Sequence, residues 1–353
     1  MKTLRVGFIG TGRKWRTPGA TGFGMAYSHA WGYKKLPDVE LVACSDIVKE
    51  NAEAFAAETG TGKTYGDYRE MLKKEGLDMV SIATWPHLHA PMVIDCVKAR
   101  VKAIHCEKPM STTWGDAQKM AKAAKDGGVK LTFNHQRRFG DAYIKGCEVV
   151  WSGKIGELKR MEAFTGDLYD WGTHWMDMLN MFNREADAEW ILGGLDCRSG
   201  RTVFGAPVED QGVWNIRYKN GVEAMVLTGG GQRPEGWALR FIGANGIMEM
   251  HWQRPVIRLW TRGLKEFESV PAPDHMDAGP SIDRAIESAV SAVRRGGRSP
   301  LCAENALRAT ELIFAGYESA RKRARIDLPL DIKDNPLASL HPKKAGKKTK
   351  TGK

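Results

Sequence analysis

Residues 4–12 read Leu-Arg-Val-Gly-Phe-Ile-Gly-Thr-Gly, a strand-like apolar run that ends in two glycines. Glycines at these positions permit a tight turn and let the backbone approach a phosphate group at the start of the next helix. Gly10-Thr11-Gly12 is therefore half of a dinucleotide-binding fingerprint. Glycine-rich loops after strands also occur in proteins that bind no nucleotide, so other parts of the sequence are needed to show whether this loop binds one.

The loop after this strand is longer than the fingerprint requires. A small residue should follow three positions after the second glycine, but Trp15 stands there. The next helical pattern begins near Gly24-Met25-Ala26. We therefore interpret Arg13–Phe23 as an insertion in the loop and Ala26 as the third small residue.

Strand and helix signals alternate through the first 134 residues. Residues 39–44, 79–83, 101–106 and 129–133 are predicted strands, separated by helical patterns. This alternation predicts a parallel, doubly wound sheet. Asp46 follows the second strand, where a carboxylate can accept both ribose hydroxyls of NAD and would repel the 2′-phosphate of NADP. The alternative is that Asp46 only caps the helix that follows.

Glu107-Lys108-Pro109 follows the fourth predicted strand directly. Ligands of open α/β sheets bind in the crevice beyond the carboxyl ends of the strands, so Lys108 is placed for chemistry. Its charge would stabilise an alkoxide that develops in a water-poor site. We expect Glu107 to anchor the turn and Pro109 to shape the crevice. The tripeptide alone is weak evidence, because such sequences occur by chance in many loops.

The pattern changes after residue 134. Six strand-like segments follow with few helices between them, and Asn220-Gly221 and Asn245-Gly246 are hairpin turn signals. Helices are predicted near 173–182, 282–294 and 303–322. The predicted fold class is thus α/β: a doubly wound parallel domain at residues 1–134 and an α+β domain with a large, mostly antiparallel sheet at 135–332. Residues 333–353 read as a basic, disordered tail.

A second candidate group is Asp170-Trp171-Gly172-Thr173-His174. If a helix begins near Gly172, His174 lies in its first turn and Asp170 just ahead of it. A carboxylate beside an imidazole can fix its tautomer and stabilise its protonated form, and histidine titrates in the range that a general base needs. The alternative is a packed histidine at a helix start with Asp170 as its cap.

These residues together resemble the glucose–fructose oxidoreductase, inositol dehydrogenase and rhizopine catabolism (Gfo/Idh/MocA) family of NAD(P)-dependent oxidoreductases. The resemblance covers nearly all of residues 4–330. Besides the glycine loop and Asp46, its motifs are residues 65–72, Glu107-Lys108-Pro109, Arg137-Arg138-Phe139, Asp170…His174, residues 243–246, residues 306–321 and residues 326–329.

The resemblance implies a Rossmann domain joined to an α/β domain whose sheet helps to form a homodimer or homotetramer. It implies that Lys108 polarises the substrate oxygen, that His174 is the general base and that Asp170 orients His174. The implied cofactor is NAD, and the implied substrate is a sugar, an inositol or a related polyol. The implied cofactor-binding residues are Gly10, Thr11, Gly12, Ala26, Asp46, Thr84, His89, Glu107 and Lys108.

Two departures from the family pattern bear on the cofactor. Where relatives commonly read Thr-Pro-Asn-x-x-His, this chain reads Thr84-Trp85-Pro86-His87-Leu88-His89, so the asparagine is missing. The insertion carries Arg13, Lys14 and Arg16 beside the phosphate position. A basic loop could offset Asp46, which leaves NADP open.

Tryptophans are abundant near the second candidate group, and Trp171 and Trp175 flank His174. Their flat faces suit the C–H faces of sugar rings, and the indole N–H can donate to a hydroxyl. Large aromatic side chains in a sheet domain more often belong to the core or to an interface. We keep both readings for these two residues.

Composition limits the remaining possibilities. The net charge is +11, but six of the lysines lie within residues 343–353, which leaves +5 for the rest and argues against a nucleic-acid partner. Six scattered cysteines without a Cys-x-x-Cys pair favour a reduced, cytoplasmic setting and no zinc site. No run of apolar residues approaches a membrane span.

Two other functions fit the same scaffold. An NAD-dependent glycoside hydrolase would oxidise its sugar transiently and release no net NADH. A non-catalytic, cofactor-sensing regulator would bind NAD without turnover. Lys108, Asp170 and His174 are intact, which favours the dehydrogenase over the regulator.

Overall fold

Six short segments near the N-terminus form one parallel sheet. The computed structural model describes residues 3–229 and 236–342. The strands are β1 (Leu4–Ile9), β2 (Val39–Ser45), β3 (Lys63–Tyr65), β4 (Met79–Ile82), β5 (Ala103–Cys106) and β6 (Lys130–Phe133). Their order is β3-β2-β1-β4-β5-β6, and every pair is parallel. Every residue of β4 and β5 is buried, as in central strands covered on both faces, and the polar Ser81 and His105 are buried with them.

Helices connect these strands and cover both faces of the sheet. They are α1 (Met25–Lys34), α2 (Lys49–Thr59), α3 (Tyr68–Lys74), α4 (Pro86–Lys98) and α5 (Trp114–Asp126). Strand order reverses at β1, which lies between β2 and β4. The loops that leave the carboxyl ends of β1, β4 and β5 therefore meet at the switch point where such sheets bind ligands. The predicted doubly wound parallel sheet is confirmed.

The second sheet has nine strands in the order β16-β15-β14-β13-β7-β12-β11-β8-β17. Only β7 and β12 are parallel neighbours, so the predicted mostly antiparallel sheet is confirmed. Two further strands, β9 and β10, form a separate hairpin. The bounds are β7 (Leu158–Thr165), β8 (Ala188–Asp196), β9 (Thr202–Val203), β10 (Ala206–Pro207), β11 (Gln211–Tyr218), β12 (Glu223–Gly229), β13 (Trp237–Gly243), β14 (Gly246–His251), β15 (Ile257–Thr261), β16 (Glu268–Val270) and β17 (Ile326–Asp327).

Helices pack on one face of this large sheet. The remaining helices are a 3-10 helix (Gln136–Phe139), α6 (Asp141–Trp151), α7 (Gly172–Phe182), α8 (Ser281–Arg295), α9 (Ala303–Lys322) and α10 (Pro336–Leu340). Contacts of α6 with β14, of α7 with β7 and of α9 with β8 fix the packed face. Alternate residues of each strand point to the other face, where Val213 and Leu192 are 55% and 45% exposed.

Helix α8 returns to the parallel domain. Its apolar residues Ile286, Ala289 and Val290 join the cluster around Phe8 and Tyr33. α1 and α8 touch closely, since a Cβ on Gly32 would lie 3.0 Å from Ile286 Cγ1. The predicted boundary at residue 134 therefore describes only the first part of the Rossmann domain, because a helix from the far end of the second domain completes it.

The C-terminal region is more ordered than predicted. The side chain of Asn335 accepts the Leu337 N–H and begins α10, which packs against α9. The Lys333 carbonyl accepts the Gly115 N–H at 2.9 Å, which joins this region to α5. The prediction of a disordered tail is therefore wrong for residues 333–342. The lysine run at 343–353 lies outside the described residues.

Several features bear on the class of protein. All six cysteines are buried free thiols. No helix among residues 3–229 and 236–342 is long and apolar enough to cross a membrane. The same residues contain no group of three or more His, Cys, Asp or Glu side chains that could hold a metal ion.

Candidate active site

The glycine loop is held by Asp46. One carboxylate oxygen, Oδ2, accepts the N–H groups of Thr11 (3.0 Å) and Gly12 (2.8 Å) and the Thr11 hydroxyl (3.1 Å). Gly10 and Gly12 have positive φ, and a Cβ on Gly10 would lie 2.4 Å from Thr84 Cγ2. A Cβ on Gly12 would meet nothing within 4 Å, so open space lies beside the backbone there.

The insertion between β1 and α1 forms turns without regular structure. Arg13 donates to the Pro18 carbonyl at 2.8 Å, and Lys14 pairs with Glu58 of α2. Trp15 and Phe23 are about half exposed, and their ring centroids are 6.2 Å apart. Arg16 lies over the Trp15 ring at 4.1 Å, so all three basic residues that could have approached a 2′-phosphate already have partners. Beyond the insertion, Ala26 is buried in α1, as close packing of helix on strand requires.

His89 braces the loops around the crevice. It is fully buried, with Nδ1 3.1 Å from the carbonyl oxygens of Pro109 and Met110, and Nε2 3.1 Å from that of Thr84. Burial lowers its pKa below the ordinary value. The prediction that His89 contacts the cofactor needs correction, because both ring nitrogens face backbone carbonyls of the protein.

Thr84 and Trp85 lie at the edge of the same crevice. The Thr84 hydroxyl donates to the Met92 sulfur at 3.3 Å, and its methyl group packs on Gly10. Trp85 is 42% exposed, and its ring meets Phe204 edge to face at 6.2 Å. Trp85 therefore connects the crevice to the β9–β10 hairpin of the second domain.

Lys108 and Asp170 form an ion pair across the two domains. Lys108 Nζ lies 2.7 Å from Asp170 Oδ1 and 3.4 Å from the Asp170 carbonyl oxygen. The two side chains are 16% and 8% exposed, so this is a largely desolvated pair. Asp170 is held in turn by Asp167, which accepts the Asp170 N–H at 2.6 Å. The predicted pairing of Asp170 with His174 is wrong, since the carboxylate turns to Lys108 instead.

His174 lies in the first turn of α7 and is 4% exposed. Its Nδ1 is buried and has no hydrogen-bond partner among the described residues. Burial, and then the positive charges of Arg137 and Lys108, hold the pKa of His174 well below its ordinary value. The imidazole is therefore neutral at pH 7 and can accept a proton without first losing one.

Glu107 points away from the crevice. It is 6% exposed, and Oε1 lies 2.9 Å from His29 Nε2 and accepts from Asn134 Nδ2 at 2.7 Å. Its other oxygen accepts the Lys108 N–H at 3.2 Å. His29 continues the network to Ser81 Oγ at 2.8 Å. Glu107 thus joins α1 to the turn that presents Lys108, and its predicted cofactor contact is replaced by this structural role.

Substitution of Glu107 should alter acid stability. Burial alone would raise its pKa, but the hydrogen bond and charge of His29, with Lys108 and Asn134, lower it to about 2. Because the native pKa lies below the unfolded value, ionised Glu107 stabilises the fold above about pH 4.5, and this stabilisation is lost as the pH falls towards 2. We expect Glu107→Gln to lower the free energy of unfolding at pH 7 by about 1–3 kcal/mol.

Urea titrations at several pH values measure this effect. Between pH 4.5 and 3, the stability of Glu107→Gln should fall less steeply than that of the wild type. Glu50→Gln, at an exposed position of α2, is the matched control and should follow the wild type. If the free energy of unfolding fell with the same slope in wild type and Glu107→Gln below pH 4.5, the lowered pKa of Glu107 would be contradicted.

His135 lies beside the site and had no predicted role. Its Nε2 is 3.2 Å from the Thr173 hydroxyl, its Nδ1 is 3.4 Å from Asp177 Oδ1, and its ring centroid is 5.9 Å from that of His174. Arg138 pairs with Asp177 through Nε and Nη2 at 2.7–3.0 Å. Asp177, one helical turn after His174, therefore anchors the start of α7 to His135 and Arg138.

Arg137 is enclosed by aromatic rings. Its guanidinium carbon lies 4.5, 5.3 and 5.7 Å from the ring centroids of Trp175, Trp171 and Trp252, and its Nε donates to Asp277 at 3.1 Å. The adjacent Arg137 and Arg138, a few residues after the predicted strand 129–133, were the available signal. Their acidic partners Asp277 and Asp177 lie far away in the chain and cannot be read from the sequence. Arg137 supplies much of the positive field at His174.

The two candidate sugar platforms differ in exposure. Trp175 is 1% exposed, stacks on Trp252 at 5.4 Å and donates its indole N–H to the Phe164 carbonyl, so it belongs to the core. Trp171 is 38% exposed and meets Trp252 edge to face. Only Trp171 of this pair has a face available to a ligand.

Comparisons with known proteins agree with this architecture. The family model described as GFO_IDH_MocA, an oxidoreductase family with an NAD-binding Rossmann fold, matches residues 4–135. The chain is similar to myo-inositol 2-dehydrogenase of Thermotoga maritima, with 30% identity over 154 residues, or 44% of this chain and 42% of that protein. The alignment thus spans less than half of that relative's length.

Two other similarities extend over most of the chain. D-apiose dehydrogenase of Paraburkholderia graminis is 24% identical over 339 residues, which are 87% of each chain. The solved structure of a levoglucosan dehydrogenase in complex with NADH and levoglucosan superimposes with a TM-score of 0.77 at 20% identity, over 93% of this chain and 100% of that one. At this identity the structural likeness establishes the fold of both domains.

Proposed function

Because the chain belongs to the Gfo/Idh/MocA family of oxidoreductases, we propose that it is an NAD-dependent dehydrogenase that oxidises a secondary hydroxyl of a sugar, an inositol or a related polyol. Two proteins that match over both domains are named for D-apiose and levoglucosan, and a relative that aligns over 154 residues is named for myo-inositol. All three compounds carry several hydroxyl groups, which supports the substrate class.

The glycine loop fits a dinucleotide. Open space beside Gly12 leaves the loop backbone accessible to a pyrophosphate, whereas Gly10 lets the loop pack closely against Thr84. Asp46 fixes the loop and places a negative charge where the ribose of the cofactor would bind. A 2′-phosphate would be repelled there, which favours NAD over NADP.

Each catalytic residue has a separate task in the proposed reaction. Bound NAD supplies the acceptor for the hydride that leaves the substrate carbon. Lys108 donates to the reacting oxygen and stabilises its negative charge, and Asp170 holds the Lys108 ammonium in place. His174, kept neutral by its surroundings, takes the hydroxyl proton. Asp170 is thus a positioning residue for Lys108 rather than for the base.

The observation that carries the proposal is the Lys108–Asp170 ion pair, whose Nζ–Oδ1 distance is 2.7 Å, at the carboxyl edge of the parallel sheet. His174 follows Asp170 by four residues and lies in the first turn of α7. Together they bring a fixed positive charge and a neutral imidazole to the crevice where the cofactor loop ends. The presence of Lys108, Asp170 and His174 favours an enzyme over a regulator that only senses its cofactor.

A substrate screen tests the proposal. Monosaccharides, inositols, sugar acids and nucleotide sugars are incubated with the protein and with NAD or NADP, and reduced nicotinamide is followed by absorbance. We expect NAD reduction with at least one polyhydroxylated compound. Cleavage of a glycoside without net NADH would indicate the hydrolase instead, and cofactor binding without any turnover would contradict an enzymatic role.

The exposed face of the large sheet supports self-association. Its apolar half carries Val213, Leu192 and half-buried Met225, side chains that a second copy of the chain would shield from water. On its other half, Arg160 and Arg240 form ion pairs with the buried Glu162 and Glu249. These carboxylates therefore already have partners when a second copy of the chain covers the surface.

We expect Val213→Glu to shift a wild-type dimer or tetramer towards smaller species, because a charge buried at the interface would lack a partner. Sedimentation velocity measures the change. The control is Ile47→Glu, which places the same charge at a 94% exposed position of the Rossmann domain and should leave the oligomer intact. A monomeric wild type would contradict the proposed interface.

A further inference from the structure

A cavity of about 270 Å³ lies away from the catalytic groups, between the end of α7, the start of β8 and α9. Asn180 of α7 forms part of its lining. Since Asn180 is six residues beyond His174, it lies about 9 Å further along the helix and on another side of it. The cavity far exceeds the roughly 30 Å³ that one water molecule occupies in the liquid.

Buried polar atoms beside this cavity lack partners. Asn180 is 2% exposed, and its Oδ1 accepts the Tyr218 hydroxyl at 3.1 Å. Its Nδ2, in contrast, has no hydrogen-bond partner within the described residues. Glu185 precedes the lining residue Ala186 and also has a buried oxygen, Oε2, without a hydrogen bond among the described residues; this oxygen lies 3.7 Å from Arg308 Nη1. Buried polar groups in native proteins are usually paired, so Asn180 Nδ2 is a donor that a polar ligand in the cavity would satisfy.

The charges that line the cavity balance. Arg308 Nε is 3.4 Å from Asp187 Oδ1, and Lys219 Nζ is 3.9 Å from Asp187 Oδ2, so both ion pairs are loose. Glu311 accepts the Leu330 N–H through Oε1 at 2.8 Å, and its other oxygen remains available. Lys219 and Arg308 would repel a cationic ligand, and Asp187 and Glu311 would repel an anionic one. A neutral ligand with both donors and acceptors avoids this conflict.

The rest of the lining is apolar and includes Leu312, Leu328 and Pro329. We propose that the cavity is a second, non-catalytic site for a neutral polyhydroxylated ligand, a monosaccharide or a cyclic polyol. Its hydroxyl groups accept from Asn180 Nδ2 and Arg308 and donate to the Glu311 carboxylate, while its C–H face lies on the apolar wall. The proposal goes beyond the catalysed reaction and does not depend on it.

Equilibrium dialysis with radiolabelled myo-inositol and with radiolabelled D-glucose, without added NAD, tests the site. Ala186 lines the cavity, so Ala186→Leu fills part of it. Ala99→Leu makes the same change at an exposed position of the Rossmann domain. For at least one of the two probes, wild type and Ala99→Leu should bind one molecule more per chain than Ala186→Leu. Equal stoichiometry in all three proteins, for both probes, would overturn the proposal.

A second variant guards against misfolding of the first. Glu311→Gln keeps the side-chain volume and the acceptor for Leu330 but removes the charged acceptor. It should weaken binding at this site about tenfold, the effect of one charge-assisted hydrogen bond. If inorganic phosphate or putrescine displaced the bound polyol at concentrations below that of the polyol, the site would prefer a charged ligand and the proposal of a neutral one would be overturned. Crystals soaked in the probe that showed only ordered water in the cavity would overturn the site itself.

Discussion

Lys108→Met should lower kcat by about 10²–10³-fold while NAD binding changes little. The substitution keeps the length of the side chain but removes the positive charge beside the reacting oxygen, and loss of one such donor has this effect in other enzymes. It also leaves Asp170, whose side chain is 8% exposed, without its 2.7 Å partner. Steady-state kinetics with the substrate identified in the screen, together with NAD titration by tryptophan fluorescence, separate the two effects.

The control is Lys102→Met. Lys102 lies just before β5, is 59% exposed and pairs with Asp78 at 2.7 Å, so the same change there removes a surface charge only. We expect wild-type kcat for Lys102→Met. If Lys108→Met retained wild-type kcat with normal NAD affinity, Lys108 would not hold the reacting oxygen.

His174→Gln should lower kcat by about 10²–10⁴-fold, the usual range for loss of a general base. The pH profile of the wild type gives a second, independent measure. Burial, Arg137 and Lys108 lower the pKa of His174, so its neutral form persists as the pH falls through 6.5. The wild-type rate should therefore stay level between pH 7 and 6 and decline only in more acidic solution.

The glutamine variant should lose this plateau. Hydroxide would have to assist the reaction, so its residual rate should rise with pH across the range. His251→Gln is the matched control, since His251 pairs with Glu249 on the sheet face away from α7. A wild-type acid limb centred near pH 6.5 would contradict the lowered pKa of His174, and an unchanged kcat for His174→Gln would exclude His174 as the base.

Secondary structure was predictable where local pattern and packing agree. α9 forms over the predicted residues 303–322, because its apolar positions recur at helical spacing. α6 was missed, since Gly146 interrupts its pattern. In the structure a Cβ at Gly146 would lie 2.9 Å from Met250 Sδ and 3.0 Å from Phe182 Cζ. This glycine allows close tertiary packing rather than ending a helix, which a single sequence does not reveal.

The site was predictable in its members but not in its pairing. Asp170 was predicted to lie just ahead of the helix and to orient His174 in its first turn. Because α7 begins at Gly172, Asp170 precedes the helix and its side chain turns across the domain boundary to Lys108, 62 positions earlier. Contacts over such separations depend on how two domains pack. Local spacing has no information about that packing.

The return of α8 to the parallel sheet makes the cofactor domain discontinuous along the chain. Residues 1–134 on their own would leave the apolar surface around Phe8 and Tyr33 without Ile286 and Val290. The sheet domain is, in effect, inserted between two parts of its neighbour. Neither half can be excised or exchanged as a simple terminal module, and recombination that supplied a new substrate domain would have to conserve both junctions at once.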